Sequence, residues 1–301
     1  MKYKDDEYQL LVNGISHWVK IEGSQNRTVP LVIIHGGPGG NHYVFERTVG
    51  PKLAEERTVI YYEQRGCGRS SKPQNDNDYS IETLVDDYIK LMNQIGVEKV
   101  DVLGYSFGGE LALEIAYTYP DIINKIILSA PSLIFSDTVY ETQIKGFKTV
   151  ADKELIEKIE HEMLNNKSLK EKWNKVWSLV DSDTVDSFLF EDKLIAKRNR
   201  KLWQESGLIN TGLMMKALEK IPPVSPLRDR LTKITNDTLI LTGVHDRNTG
   251  LSISNIMKQK LPNSRLELFQ KSAHFPDLEE GELFVKKALN FLKNGDRQGG
   301  N

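Results

Sequence analysis

The clearest chemical signal in the sequence is a serine between two glycines, in the motif Gly-Tyr-Ser-Phe-Gly at 104–108. A serine hydroxyl is a weak nucleophile unless a tight turn exposes it beside a base. Glycines lack Cβ atoms, so they allow a strand and a helix to pack closely around such a turn. The apolar segment 100–103 precedes the motif, and a helical pattern that we expect to begin near Gly109 follows it. Ser106 is therefore the candidate nucleophile.

An acid and a histidine follow later apolar segments. Asp246 comes shortly after 238–242, and His274 comes shortly after 266–269. Because the carboxyl ends of parallel strands meet at one edge of a sheet, we expect both side chains to lie near Ser106. There His274 would take the serine proton as general base, and Asp246 would hold the imidazole in the correct tautomer. The chain order Ser106, Asp246, His274 differs from both common serine protease orders.

Several other residues compete for these roles. His245 adjoins Asp246 but precedes the acid in chain order, which disfavours it as the base. Asp237 comes before its strand, at the end of a parallel sheet where sites do not form. Asp277 lies three residues beyond His274 and is expected to cap the last helix. Three further histidines are expected to be packing, surface or pocket residues: His17, His42 and His161.

A second glycine-rich segment, His-Gly-Gly-Pro-Gly-Gly at 35–40, directly follows the apolar segment 31–34. Acyl transfer puts negative charge on an oxygen in the transition state, and each backbone N–H group that stabilises it contributes about 3–4 kcal/mol. We expect one such group from Phe107, next to the nucleophile, and the other from Gly37. His35 is expected to brace this loop through a hydrogen bond. A phosphate-binding loop is disfavoured because no Gly-Lys-Ser/Thr follows.

The sequence predicts neither a metal nor an organic cofactor. It has no His-Glu-x-x-His pattern, and Cys67 is its single cysteine, so zinc-ligand spacing is absent. The segment 66–71 (Gly-Cys-Gly-Arg-Ser-Ser) faintly suggests a dinucleotide-binding loop, but it lacks the third glycine and an immediate helix. We interpret Cys67 as structural.

The elements that must position these residues alternate between strands and helices. Asn13-Gly14 predicts a hairpin turn between strands at 8–12 and 17–21. Nearly continuous apolar segments predict strands that are buried on both faces, at 29–34, 58–62, 100–103 and 126–128. Helical periodicity lies between them, at 81–92 after the capping residue Ser80 and at 111–117. This alternation predicts an α/β fold with a doubly wound, mostly parallel sheet.

The alternation stops between 132 and 226, where the chain is mostly helical, more charged and rich in tryptophan. Strand and helix signals alternate again from 238 onwards. We therefore predict a core formed by 1–131 and 227–301. Residues 132–226 would be inserted into it as a helical cap, or lid, domain.

The composition excludes several classes of protein. Forty basic against 42 acidic residues leave a net charge of −2, so no bulk positive charge exists to hold a nucleic acid or an anionic membrane. The longest apolar segments are strand-sized, below the ~18 residues that span a bilayer. A single cysteine and the lack of an apolar leader disfavour a secreted, disulfide-stapled chain. We therefore expect a cytoplasmic protein that acts on a small molecule or a short peptide.

Five regions together resemble the proline iminopeptidase-like family of α/β-hydrolases. They are the motifs at 35–40, 63–70, 104–109 and 243–246 and the region around His274. The resemblance covers the core and implies an α/β-hydrolase fold, a triad of Ser106, Asp246 and His274, and a helical cap over the site. The typical activity of this family is the release of an N-terminal residue, often proline, from short peptides.

The sequence departs from the family pattern in two places. Glu63 stands where the family usually has an aspartate. Family aminopeptidases also place cap carboxylates, often after a tryptophan, against the α-ammonium group of the substrate, but here Ser178 follows Trp177. Nearby acids are the remaining candidates, with a solvated helix face as the alternative interpretation: Asp183, Asp186, Glu191, Asp192 and Glu205. Three tryptophans could line an apolar acyl pocket or pack the cap against the core: Trp173, Trp177 and Trp203.

Three functions stay open on this basis. The favoured hypothesis is a serine hydrolase that forms an acyl-enzyme and acts as a proline iminopeptidase-like aminopeptidase. The second is a carboxylesterase or lactonase that acts on small apolar esters. The third is a ligand-binding protein on the same fold with a silent triad, since a fold alone does not settle function.

Overall fold

A computed structural model describes residues 4–75, 78–134, 136–208, 212–223 and 225–293. Its centre is an eight-stranded sheet with the strand order β1-β2-β4-β3-β5-β6-β7-β8. The strands span Asp6–Val12 (β1), Ile15–Glu22 (β2), Leu31–Ile34 (β3), Val59–Tyr62 (β4), Val100–Tyr105 (β5), Ile123–Ser129 (β6), Asp237–Gly243 (β7) and Ser264–Phe269 (β8).

The sheet is mostly parallel, as the sequence predicted. Strand β1 pairs with β2, and β2 with β4, in antiparallel orientation, whereas β4, β3, β5, β6, β7 and β8 pair in parallel. Asn13 and Gly14 form the β1–β2 turn with positive φ angles of 49° and 75°, as the hairpin signal requires. The winding direction reverses between β3 and β5. Ligands bind beyond the carboxyl ends of the strands at such a reversal.

Helices cover both faces of the sheet. The helices of the core span Gly50–Ala54 (α1), Ile81–Ile95 (α2), Phe107–Thr118 (α3), Leu227–Arg230 (α10), Gly250–Lys260 (α11), Pro276–Glu279 (α12) and Gly281–Lys293 (α13). One hydrophobic cluster joins the sheet to α2, α3 and α11, and a second joins its other face to α1 and α13. One sequence prediction needs a correction here, because α3 begins at Phe107 and not near Gly109.

A run of helices separates β6 from β7, and we call residues 137–220 the helical insertion. Its helices span Asp137–Val150 (α4), Lys153–Met163 (α5), Leu169–Leu179 (α6), Ser182–Leu189 (α7), Lys193–Ser206 (α8) and Leu213–Lys220 (α9). Side-chain oxygens cap the first N–H groups of α4 to α8, which explains why the segment divides into short helices; the caps are Ser136, Asp152, Ser168, Asp181 and Asp192.

The helical insertion has a small hydrophobic cluster of its own. Phe147 and Phe188 stack with ring centroids 4.0 Å apart, and Ile144, Ile159 and Val176 surround them. The helices in the described ranges include none that is both long and apolar enough to cross a membrane.

Candidate active site

Ser106 lies at a sharp turn between β5 and α3, with φ 53° and ψ −123°. Non-glycine residues rarely adopt a positive φ, so the surrounding packing must hold this conformation. The flanking glycines are required by that packing. A Cβ on Gly104 would clash with the carbonyl oxygen of Gly108, and a Cβ on Gly108 would clash with the carbonyl oxygen of Ile34.

Asp246 and His274 come into contact beyond the ends of β7 and β8. The Nδ1 atom of His274 is 3.1 Å from Oδ1 of Asp246, and both side chains are buried. Thr249 Oγ1 donates to the other carboxylate oxygen at 2.7 Å. Burial favours the neutral acid, but His274 and the hydrogen bonds from Thr249 and the Asn248 N–H outweigh it and lower the pKa of Asp246. Asp246 is therefore held as a carboxylate.

The structure brings these elements to one edge of the sheet. Ser106 directly follows β5, Asp246 and His274 follow β7 and β8, and the loop at 35–40 follows β3. Ser106 is partly exposed. Within the described residues, no hydrogen bond joins its hydroxyl to His274, and such bonds are often long before substrate binds.

The glycine-rich loop after β3 lies directly against Ser106. A Cβ on Gly36 would be 3.0 Å from the Cβ of Ser106, which leaves room only for glycine. Gly37 has a φ of 124°, a conformation that other residues rarely adopt. Phe107 is the first residue of α3, and the first N–H groups of a helix have no partner within it. Phe107 thus directly follows Ser106, and Gly37 directly follows Gly36, which packs against Ser106. The catalytic role of Phe107 and Gly37 stays a prediction.

Residues after β4 hold this loop in place. The Gln64 N–H donates to Nε2 of His35 at 3.1 Å, and Gln64 Nε2 donates to the His35 carbonyl oxygen at 2.9 Å. Burial lowers the pKa of His35, so the ring is a neutral brace. This hydrogen bonding agrees with the bracing role expected of His35.

The structure shows what the Glu63 carboxylate binds. Its fully buried carboxylate accepts the His42 N–H at 3.1 Å and pairs with Arg69 at 2.7 Å. A Cβ on Gly68 would clash with this carboxylate, so only glycine fits at this position. Glu63 therefore links the strand end, the loop before α1 and Arg69. Sequence reasoning noticed the substitution but not this bridging role.

The competing residues differ from the candidate triad in exposure and in position along their elements. His245 is exposed, and Asp237 is exposed at the amino end of β7. His42 is buried in aromatic packing below the loop and is not a pocket residue. Asp277 does not cap the last helix, because it lies inside α12, where burial raises the pKa of its carboxyl to about 7. A cap must face free N–H groups at a helix start, and Asp277 is one helix too early for α13.

Sequence reasoning also missed Glu110 in the first turn of α3. One carboxylate oxygen accepts the Ser132 hydroxyl at 3.0 Å and the Ile134 N–H at 2.8 Å. Burial raises the pKa of Glu110 to about 8. Since the Ser132 N–H donates to the Ser106 carbonyl oxygen at 3.2 Å, Glu110 fixes the segment next to the nucleophile. A charged residue among the apolar residues of 107–118 was the available signal.

Four of the five candidate acids of the helical insertion have partners in the structure. Asp186 pairs with Arg200, Glu191 pairs with Arg247, and Asp192 caps α8. Glu205 is exposed and 3.7 Å from Lys201. The insertion residues Asp183, Asp186 and Glu191 line a cavity of about 550 Å³ together with Phe190 and Arg247.

Two of the three tryptophans pack inside the helical insertion. Trp173 and Trp177 pack against its hydrophobic cluster, and both indole N–H groups donate to Oε1 of Gln143, at 2.6 and 2.9 Å. They therefore pack within the insertion, rather than between the cap and the core as one alternative predicted. Trp203 is partly buried in α8.

Comparison with known proteins places the chain among hydrolases. Residues 29–280 match the model of a family described as alpha/beta hydrolase fold. A proline iminopeptidase from Clostridioides difficile (strain 630) is 29% identical over 295 residues, which cover 94% of this chain and 96% of the relative. A proline iminopeptidase from Saccharolobus solfataricus is 25% identical over 297 residues, covering 93% of this chain and 89% of the relative.

Solved structures agree on the fold. A proline iminopeptidase-related protein from Thermus thermophilus superposes with a TM-score of 0.80 at 21% identity, covering 97% of this chain and 98% of the other. An esterase from Exiguobacterium antarcticum superposes with a TM-score of 0.69 at 23% identity, covering 96% of this chain and 100% of the other.

Proposed function

Since the chain belongs to the α/β-hydrolase fold family and is a hydrolase, we propose that Ser106, His274 and Asp246 form its catalytic triad. The observation that carries this proposal is the 3.1 Å contact between His274 Nδ1 and the buried Asp246 carboxylate, at the sheet edge where Ser106 occupies its strained turn. A Ser-His-Asp set with this chain order is the usual arrangement in this fold.

The geometry supports an acyl-enzyme mechanism. Nδ1–H of His274 donates to Asp246, so the Nε2 lone pair is available to take the Ser106 proton. The serine oxygen then bonds to the substrate carbonyl carbon, and the developing oxyanion receives hydrogen bonds from the N–H groups of Phe107 and Gly37. His274 returns the proton to the leaving group as the carbon–leaving-group bond breaks. A water molecule, activated by His274 in the same way, then attacks the acyl-enzyme. This step releases the carboxylic acid product and restores Ser106.

We further propose that the substrates are short peptides with a free N-terminal residue. The relatives named proline iminopeptidase, which align over almost the whole chain, support this substrate class. An ammonium group needs a carboxylate partner away from water, and Asp183, which lines the 550 Å³ cavity beside two arginine-paired acids, is the candidate. We also propose residues 132–226 as a cap domain, since the His274 N–H donates to the Leu189 carbonyl oxygen of the helical insertion at 3.0 Å.

One observation favours ester hydrolysis as the second candidate. Asp186 and Glu191 are neutralised by Arg200 and Arg247, so these two carboxylates are not free to meet an ammonium group. An ester substrate needs no such partner. The same triad would cleave a small apolar ester or a lactone.

A paired hydrolysis assay tests these proposals. Proline β-naphthylamide and p-nitrophenyl butyrate are offered to the wild type, to Ser106→Ala and to His245→Ala. We expect Ser106→Ala to lose at least about 10⁴-fold in kcat and the exposed His245 variant to retain activity. Turnover of the amide supports the aminopeptidase, whereas turnover of the ester alone supports the esterase. A wild type that neither hydrolyses these substrates nor reacts with a fluorophosphonate would favour the ligand-binding alternative.

A further inference from the structure

The carboxylate of Glu279, the last residue of α12, joins two separate parts of the chain. Its Oε2 atom accepts the N–H of Ala273, the residue before His274, at 2.7 Å. Its Oε1 atom accepts the N–H groups of Glu191 and Asp192, between α7 and α8, at 2.7 and 2.9 Å. One side chain therefore holds both the loop of the candidate base and the helical insertion.

A carboxylate is required for this bridge. Both of its oxygens accept hydrogen bonds, and bonds from N–H groups to a charged acceptor are stronger than neutral ones. The isosteric glutamine offers one accepting oxygen and one NH₂ donor. A glutamine at this position could therefore satisfy either the insertion or the Ala273 N–H but not both.

Two neighbouring contacts continue the same junction. The N–H of His274 donates to the Leu189 carbonyl oxygen at 3.0 Å. The rings of Phe275 and Phe190 stack with centroids 4.9 Å apart. Three consecutive residues centred on His274 thus contact either the insertion or the side chain that binds it.

We propose that Glu279 is a positioning residue that keeps His274 against Asp246 by joining the His274 loop to the helical insertion. This inference rests on the proposed triad. The position of the helical insertion and the function of His274 as the base are then coupled. If residues 189–192 move away, the loop that carries the His274 imidazole loses their support. The recorded partners of the Glu279 carboxylate are backbone N–H groups, and none of them belongs to the candidate triad.

Glu280 provides a matched control. Its Oε2 atom accepts the Lys271 N–H at 2.9 Å and the Ser272 hydroxyl at 2.7 Å. These partners lie on the same loop, and no contact of Glu280 with the helical insertion is recorded among the described residues. Glu280→Gln thus weakens the loop without breaking the bridge.

The test compares Glu279→Gln with Glu280→Gln after titration of active sites with a fluorophosphonate. We expect kcat per titrated site on p-nitrophenyl butyrate to fall about tenfold in Glu279→Gln, with KM within twofold of the wild type. A variant that is merely less stable would lose titratable sites and keep its kcat per site. We also expect faster amide exchange at both 191–192 and 272–275 in Glu279→Gln, and only at the loop in Glu280→Gln.

Two results overturn the inference in distinguishable ways. If the wild type titrates and hydrolyses but Glu279→Gln keeps its kcat per site, the positioning role is wrong and the triad proposal survives. If the wild type does not titrate at all, both proposals fail.

A second pair of variants decides the matter if Glu279→Gln does not fold. Glu191→Pro removes one bridging N–H, and Phe190 already has the extended conformation that precedes proline, with φ −133° and ψ 147°. Glu191→Ala loses the same carboxylate but keeps the N–H. We expect kcat per titrated site on the ester to be about fivefold lower in Glu191→Pro than in Glu191→Ala, and equal values would refute the bridge.

Discussion

At the scale of single residues, the carboxyl groups around Ser106 differ in protonation because their partners differ. His274, Thr249 and an N–H group stabilise the Asp246 carboxylate against the cost of burial, so the pKa of Asp246 is lowered. The hydrogen bonds that Glu110 accepts do not outweigh burial, and its pKa rises to about 8. Burial likewise raises the pKa of Asp277, to about 7.

Glu110 should make the stability of the protein depend on pH. A carboxyl with a raised pKa in the folded state contributes stability below its unfolded pKa, near 4.5, and loses it as pH rises through about 8. We expect the change in the free energy of unfolding between pH 5 and pH 9 to be more negative in the wild type than in Glu110→Gln. The raised pKa of Asp277 also lowers the free energy of unfolding as pH rises, equally in the wild type and in Glu110→Gln. Burial lowers the pKa values of His17, His35 and His42, so these side chains add an opposite slope below about pH 7 in both proteins.

Urea unfolding at pH 5, 7 and 9 measures this effect. The exposed Glu55→Gln serves as the control and should keep the wild-type slope. An unchanged slope in Glu110→Gln would show that the buried carboxyl does not titrate in this range.

At the scale of elements, Gln143 of α4 connects the helical insertion with the loop that carries Asp246. Its Oε1 atom accepts both indole N–H groups of α6, and its Nε2 donates to Oδ1 of Asn248 at 2.6 Å. The Asn248 N–H in turn donates to Asp246 at 2.9 Å. The side-chain amide of Gln143 thus links α4, α6 and the loop that carries Asp246.

Replacing Gln143 by leucine should therefore affect both stability and activity. The two indole N–H groups and the Asn248 side chain would lose their buried partner, and an unsatisfied buried polar group costs about 1–3 kcal/mol. We expect lower stability in urea and a several-fold lower kcat on p-nitrophenyl butyrate. Gln204→Leu, at an exposed position of α8, should change neither. If Gln143→Leu keeps the stability and the kcat of the wild type, the hydrogen bonds of Gln143 contribute to neither.

At the scale of the whole molecule, three hydrophobic clusters hold the chain together. Two lie on opposite faces of the sheet and contain most of the buried side chains, whereas the third belongs to the helical insertion and is much smaller. Regions with fewer buried apolar contacts open locally at lower free energy than the core does.

Hydrogen exchange should reveal this difference. We expect peptides from 153–179 to exchange faster than peptides from β5 and β7, after correction for intrinsic rates. Mass spectrometry of the native protein at neutral pH makes the comparison. Equal protection of the two regions would argue that the insertion and the core open as one unit, and against a separate cap domain.

The mostly parallel sheet and the candidates for catalysis could be predicted from local patterns in the sequence. Buried parallel strands must be continuously apolar, and a strained strand–helix turn must have glycines where backbones approach, so both features are visible locally. Ser106, Asp246 and His274 were found because each follows a strand. Their catalytic roles and the domain boundaries at 132 and 226 stay predictions.

The residues that support the site became apparent only from contacts between distant parts of the chain. Glu63, Glu110, Gln143 and Glu279 act through partners that lie up to 105 residues away in the chain, as between Gln143 and Asn248. The hydrophobic periodicity of the sequence does not predict such contacts, because they depend on how separate elements pack against one another. For the same reason, Asp277 and His42 could not be assigned from sequence, since their burial follows from packing rather than from their neighbours in the chain.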